Sequence, residues 1–280
     1  MKPRTLLAML AIAVVALAAC STSGPASPSA ARASLGAVSQ PAAGAGLTIF
    51  GAASLTKALD GAKAAYEDAN PGTVLTISTD SSTALATQIT EGAPADVFLS
   101  ADRTNPQMLA DAGLTDGDPT AFAGNKLTVI VPADNPGGLA TPFELGKTGI
   151  RVIAAGDEVP ISRYVTQLVR NLAASSGAPD GFAEAYAANI ASKEDNVAAI
   201  RSKIELGEGD GAIVYVTDAA ASDKVATIDI PGEVNVRATY TGVVVKASEH
   251  PDAAHAFLDW LAGPDGQAVL AEFGFLPPSS

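Results

Sequence analysis

The sequence predicts an α/β fold with mostly parallel sheets flanked by helices, and three observations carry that expectation. Short apolar, β-rich runs alternate with segments of 3- and 4-residue hydrophobic spacing over the 234 residues from Leu47 to Ser280. No repeat of solenoid type replaces that alternation, which is the pattern of layered α/β domains. Two of the strand-to-helix turns carry a serine, Ser54 in L-T-I-F-G-A-A-S-L-T-K-A-L and Ser82 in T-I-S-T-D-S-S-T-A-L-A-T-Q-I.

Taken in order, a strand is expected over 47–50, then a helix with Leu55, Ala58, Leu59, Ala62 and Tyr66 on one face. Asn70-Pro71-Gly72 ends that helix. The next strand covers 74–78 and leads to a helix carrying Leu85 and Ile89; 96–100 reads as a short buried strand. Runs at 127–131, closed by Pro132, and at 151–155 follow. Ile161, Tyr164, Val165, Leu168 and Leu172 mark one helix, and Val197, Ile200 and Ile204 another that Gly207 closes. Strands are expected at 212–215, 225–230 and 240–245. Phe257, Leu258 and Leu261, then Val269, Leu270 and Phe273, mark C-terminal helices.

The first 20 residues read as a signal segment: Lys2 and Arg4 precede an apolar stretch over 6–19, too short to span a bilayer. It ends in Leu17-Ala18-Ala19-Cys20, which resembles a bacterial lipobox with Cys20 as the lipidated residue; an ordinary secretory cleavage near an Ala-x-Ala site is the alternative. Cys20 is the only cysteine, so internal disulfides and cysteine-based metal clusters are excluded. Residues 21–46 form an expected flexible linker: 21 of its 26 residues are Ala, Ser, Gly or Pro. Its r.m.s. reach is roughly 30 Å, enough to hold a folded domain off a membrane surface. Without the signal, 15 Lys and Arg face 30 Asp and Glu. That balance argues against nucleic acid as a partner.

Enzyme signatures are sparse. There is no G-x-S-x-G elbow, no Walker A loop and no H-E-x-x-H. His250 and His255 read as a surface pair, and the carboxylates are scattered. The serine turns point elsewhere. At a helix start the first N–H groups lack intrahelical partners and the dipole favours negative charge, so a serine there adds a donor without charge. Two such turns indicate a pocket for a small anion. Read singly, Ser54 and Ser82 could equally be N-caps, and Tyr215 a buried strand-end tyrosine.

Several segments resemble the substrate-binding proteins of bacterial molybdate ABC importers. They are F-G-A-A-S-L-T (50–56), S-S-T-A-L-A-T-Q-I (81–89), G-A-P-A-D-V-F-L-S-A-D (92–102), A-A-G-D-E-V-P (154–160), E-D-N-V (194–197), G-A-I-V-Y (211–215) and F-G-F-L (273–276). The resemblance implies a two-lobed periplasmic-binding-protein fold of type II-like architecture. Each lobe would be a mixed, mostly parallel sheet flanked by helices, joined to the other by crossover strands. Lobe I would comprise 47–125 plus 239–280 and lobe II 126–238. It further implies ligation of a molybdate oxyanion, and of tungstate, by Ser54, Ser82, Tyr215 and the backbone N–H groups of Ile161 and Val197. Molybdenum would be present only inside the oxyanion, with no direct protein ligand, no cofactor and no catalysis. The expected partners are an importer's permease and ATPase subunits, with the protein a monomer held by lipid on the extracytoplasmic face of the cell membrane. Two departures stand out. Ile161-Ser162 replaces the more usual Ala-Gly and can narrow the pocket. Asp80 brings a carboxylate close to Ser82, and it is expected to point away or cap its own helix. The rival readings are a sulfate, phosphate or organic-anion receptor, a hydrolase using Ser54, and a sensory lipoprotein.

Overall fold

The computed structural model describes residues 44–278; Cys20, the signal segment and nearly all of the linker lie outside them. The chain runs β1 (Gly46–Ala52), a 3-10 turn (Ala53–Leu55), α1 (Thr56–Ala69), β2 (Val74–Asp80), α2 (Ser82–Thr90), β3 (Val97–Ser100), α3 (Thr104–Asp111) and β4 (Thr115–Asn125). It continues through β5 (Leu127–Pro132), β6 (Val152–Ala155), α4 (Pro160–Ala174), α5 (Phe182–Ala188), β7 (Ile190–Glu194), α6 (Val197–Glu205), β8 (Gly211–Tyr215) and α7 (Val216–Ala220). It ends with β9 (Val225–Ile228), β10 (Ala238–Val245), α8 (Pro251–Ala262) and α9 (Pro264–Glu272).

These strands make two five-stranded sheets, ordered β2-β1-β3-β10-β4 and β7-β6-β8-β5-β9. Both follow one plan. Three parallel strands (β2, β1, β3 and β7, β6, β8) arise from βαβ steps, and two antiparallel strands complete each sheet. The antiparallel partners include the segments that pass between sheets. β4 ends at Asn125 in the first sheet and β5 starts at Leu127 in the second, leaving Lys126 alone between them. The chain returns through 229–237, between β9 and β10. This is the two-lobed, type II-like arrangement.

Burial follows strand position. Every residue of β3, β5 and β8 is buried, as continuous apolar runs covered on both faces require. The edge strands β2 and β7 are only partly covered. Tyr66 of α1 meets Phe257 and Trp260 of α8 edge-on, at centroid distances of 5.1 and 5.0 Å, and so fastens the C-terminal helices to the first lobe.

Some elements carry little sequence signal. β4 reads T-D-G-D-P-T-A-F-A-G-N, with turn-forming residues and one large apolar side chain. It forms because β10 pairs with it, through two irregularities of register. α3, α5, β7 and α7 are likewise short elements that tertiary packing, not periodicity, defines. Phe273 lies just past the end of α9. Ordered chain also begins before Leu47: Gly46 opens β1, Ala45 is buried, and its carbonyl accepts from the Val74 N–H.

Candidate functional site

In open α/β sheets the crevice lies beyond the carboxyl ends of the parallel strands. Here β1, β2, β6, β7 and β8 all end at one cleft between the lobes, and each is followed by a helical turn. A small, tight cavity of about 10 Å³ lies there. Ala52, Ala53, Ser54, Ser81, Ser82 and Ala101 form its wall in the first lobe. Val159, Pro160, Ile161, Asn196, Val197 and Tyr215 face them from the second. All five residues singled out in the sequence therefore border one space, though Ser54 and Ser82 are 79 or more positions from Ile161. None of these lining residues is charged.

The serines do not cap their helices. Ser54 lies inside the 3-10 turn and Ser82 is the first residue of α2, whose N-cap is Ser81. The Ser82 hydroxyl instead accepts a hydrogen bond from the Ala101 N–H at 3.0 Å, which ties the β2–α2 turn to the end of β3. That leaves its proton to donate. The Ser54 hydroxyl is 2.8 Å from the Tyr240 hydroxyl. The Tyr215 hydroxyl is buried and hydrogen-bonds to no protein group among the described residues, and neither does Ser81 Oγ. Burial, with the nearby Tyr240, Tyr164, Asp218 and Asp102, pushes the Tyr215 phenol well above its ordinary pKa, so it remains a neutral donor. An unpaired buried hydroxyl is costly, which makes it a strong pointer to an exchangeable partner.

Backbone donors add to these. Pro160 opens α4, so Ile161 is the first residue of that helix with an N–H; Val197 opens α6 after Asn196. Neither N–H has a carbonyl four residues back within its helix. The Asn196 side chain caps α6 by accepting from the Ala199 N–H at 3.0 Å. Ile161 is buried and also borders an apolar hollow beside Val165 and Val169. The hydroxyl of Ser162 donates to the Gly156 carbonyl at 2.5 Å, which closes the β6–α4 loop.

The nearby carboxylates turn away from the cavity. Asp80 accepts from the Ser81 N–H at 2.7 Å and from Asn196 Nδ2 at 2.9 Å, and it is absent from the cavity wall. Asp102, almost fully buried, pairs with Arg163 of α4 and accepts from Ser100, from the Asn105 N–H and from Asn105 Nδ2. Several of these contacts bridge the lobes. Asn196 reaches Asp80, Arg163 reaches Asp102, Thr83 Oγ1 donates to the Glu158 carbonyl at 2.8 Å, and the Tyr164 hydroxyl donates to the Ala101 carbonyl at 3.3 Å. The cleft is closed around the cavity.

Ser81 and Asn196 were not among the residues the sequence singled out. The Ser81-Ser82 doublet and the Asp195-Asn196 pair before Val197 are their only traces in the chain. Cys20 lies outside the described residues. His255 is partly exposed, 3.3 Å from Asp116, and is not part of the cleft wall. Among the described residues no group of three or more His, Cys, Asp or Glu side chains is placed to hold a metal ion. No helix among them is long and apolar enough to cross a membrane.

Known proteins match this arrangement over nearly its whole length. The molybdate-binding protein ModA of Mycobacterium tuberculosis is 31% identical over 270 residues, which is 96% of this chain and 95% of that protein. The periplasmic molybdate-binding protein of Azotobacter vinelandii superimposes with a TM-score of 0.70 at 25% identity, covering 83% of this chain and 100% of that one. The sulfate-binding protein SubI of Mycobacterium tuberculosis has a TM-score of 0.73 at 21% identity, with coverage of 83% and 86%, a likeness of fold. The family model for bacterial extracellular solute-binding proteins matches residues 47–276. With that match over 47–276 and two lobes closed on a cavity whose lining carries no charge, the chain belongs to the bacterial extracellular solute-binding proteins.

Proposed function

We propose that the protein captures molybdate, and tungstate with it, outside the cytoplasm and delivers it to the permease and ATPase subunits of an ABC-type importer. Ser54, Ser82 and Tyr215 would donate through hydroxyls, and Ile161 and Val197 through backbone N–H groups. The observation that carries the reading is the Tyr215 hydroxyl, buried without a protein partner at a cavity bordered by serines and helix starts. The likeness to ModA over nearly the full length of both chains supports molybdate as the oxyanion.

A strongly acidic protein can hold a dianion this way because each donor is a fixed neutral dipole. Ligand and lobes are linked by mass action: an anion that touches both walls binds the closed state better and populates it. We take 47–125 with 239–280 as one moving body and 126–238 as the other, since the strands change sheets at Lys126 and between β9 and β10. The chain would act as a monomer, because one copy supplies every donor, and Cys20 would anchor it through the 21–46 linker.

A thermal-shift series tests the reading. At a hundredfold excess over Kd, ligand adds about 2.7 kcal/mol, or about 5–10 °C for a protein of this size. Molybdate and tungstate should produce shifts of that order and sulfate a much smaller one. Equal shifts for all three would show that the cavity does not select by size. A shift with sulfate or phosphate alone would replace molybdate as the ligand.

A further inference from the structure

We infer that Tyr240 and Asn125, neither of which borders the cavity, are positioning residues that aim the Ser54 proton into it and so favour a fully deprotonated oxyanion. The inference rests on the reading of Ser54 as a ligand donor.

One backbone group here has a polarity that cannot change. The Lys126 N–H donates to Asn125 Oδ1 at 2.9 Å. That contact sets the amide orientation, because the flipped amide would place NH₂ against N–H. Asn125 Nδ2 therefore donates, to Thr217 Oγ1 at 2.8 Å and to the Tyr240 hydroxyl at 3.3 Å. With its oxygen accepting from Asn125, Tyr240 has one proton left. Ser54 Oγ lies 2.8 Å away. If Ser54 donated instead, the Tyr240 proton would be left buried without an acceptor, at a substantial cost. Tyr240 thus donates to Ser54, and the Ser54 proton is free for the cavity. Asn125 and Tyr240 are both fully buried, which holds the geometry and excludes water as a substitute partner.

The chain of donors has a consequence for specificity. Ser82 already accepts from the Ala101 N–H, and Ser54 accepts from Tyr240, so both hydroxyls meet a ligand as donors. A monoprotonated anion such as hydrogenphosphate needs an acceptor in the wall, and neither Ser54 nor Ser82, each already accepting, offers one. Tyr240→Phe removes the constraint. Ser54 could then rotate and accept. The relay also runs along the passage between lobes: Asn125 ends β4, Tyr240 lies in β10, and Thr217 belongs to α7 of the second lobe.

The test is titration of wild type, Tyr240→Phe, Ser54→Ala and the double variant with molybdate and with phosphate near neutral pH. Tyr240→Phe should weaken molybdate about tenfold and shift the molybdate-to-phosphate preference toward phosphate by at least as much. The double variant should bind molybdate no more weakly than Ser54→Ala alone, since the relay acts only through Ser54. Should Tyr240→Phe not fold, Asn125→Leu should move the preference in the same direction by a few-fold. Equal weakening of both anions, or losses that simply add in the double variant, would overturn the relay while leaving the proposed function standing. Failure of the wild type to bind molybdate would overturn both.

Discussion

At Tyr215 the proposed ligand role would join stability to function in one atom. Its ring packs edge-on against Tyr164 and Tyr240, while its buried hydroxyl has no partner among the described residues. Tyr215→Phe keeps the rings together and removes a desolvated hydroxyl. The unfolding temperature without ligand should hold or rise slightly, while molybdate affinity falls about tenfold. A fall in unliganded stability with unchanged affinity would contradict the role given to the hydroxyl. Three residues on, Asp218 is buried, one carboxyl oxygen lacks a partner among the described residues, and burial raises its pKa from 3.8 to about 7. Arg201 and the Tyr215 N–H offset only part of that cost. Because the folded state holds this proton more tightly, the stabilising contribution is complete below about pH 4 and is lost as pH rises to about 7. Asp218→Asn should therefore gain stability relative to wild type between pH 5 and pH 8, by roughly 2–3 kcal/mol. Chemical denaturation at the two pH values reads it, and an unchanged difference between the proteins would refute the assignment.

At the level of elements, the helix starts do most of the positioning. Pro160 sets the first turn of α4, and Asn196 both caps α6 and crosses the cleft to Asp80. Asn196→Ala should cost about 1 kcal/mol, or roughly 2–4 °C in unfolding temperature, through the cap. It should also weaken oxyanion binding, and a thermal loss with intact affinity would separate cap from cleft. The elements that build the site were legible in the chain because β1, β2, β8, α4 and α6 are apolar or periodic enough to stand out alone. β4 was not, since Asp116, Gly117, Asp118 and Pro119 read as a turn, and only pairing with β10 on either side of Gly117–Pro119 makes the segment a strand. The same limit hid Tyr240 and Asn125. Their importance lies in partners far along the chain, such as the 186 positions between Ser54 and Tyr240, which local pattern does not reveal.

For the whole molecule, the question is what holds two lobes closed. Direct bridges include Asn196 to Asp80, Thr83 to Glu158, Tyr164 to Ala101, Arg163 to Asp102 and Asn125 to Thr217. Arg163 is half-exposed, so its ion pair adds little to the stability of either lobe, and Asp102 keeps its bonds to Ser100 and Asn105 without it. Arg163→Gln should therefore leave the unliganded unfolding temperature nearly unchanged while molybdate dissociates several-fold faster in stopped flow. An unchanged dissociation rate would remove that pair from the closing mechanism. The central claim is that one tetrahedral oxyanion is held by donors from both lobes, and calorimetric titration of the folded protein tests it most directly. The account predicts one molybdate per chain, tight in wild type, and weakened both by Ser54→Ala in the first lobe and by Tyr215→Phe in the second, with sulfate bound far less tightly. No heat with molybdate, alongside clear binding of sulfate or phosphate, would contradict it.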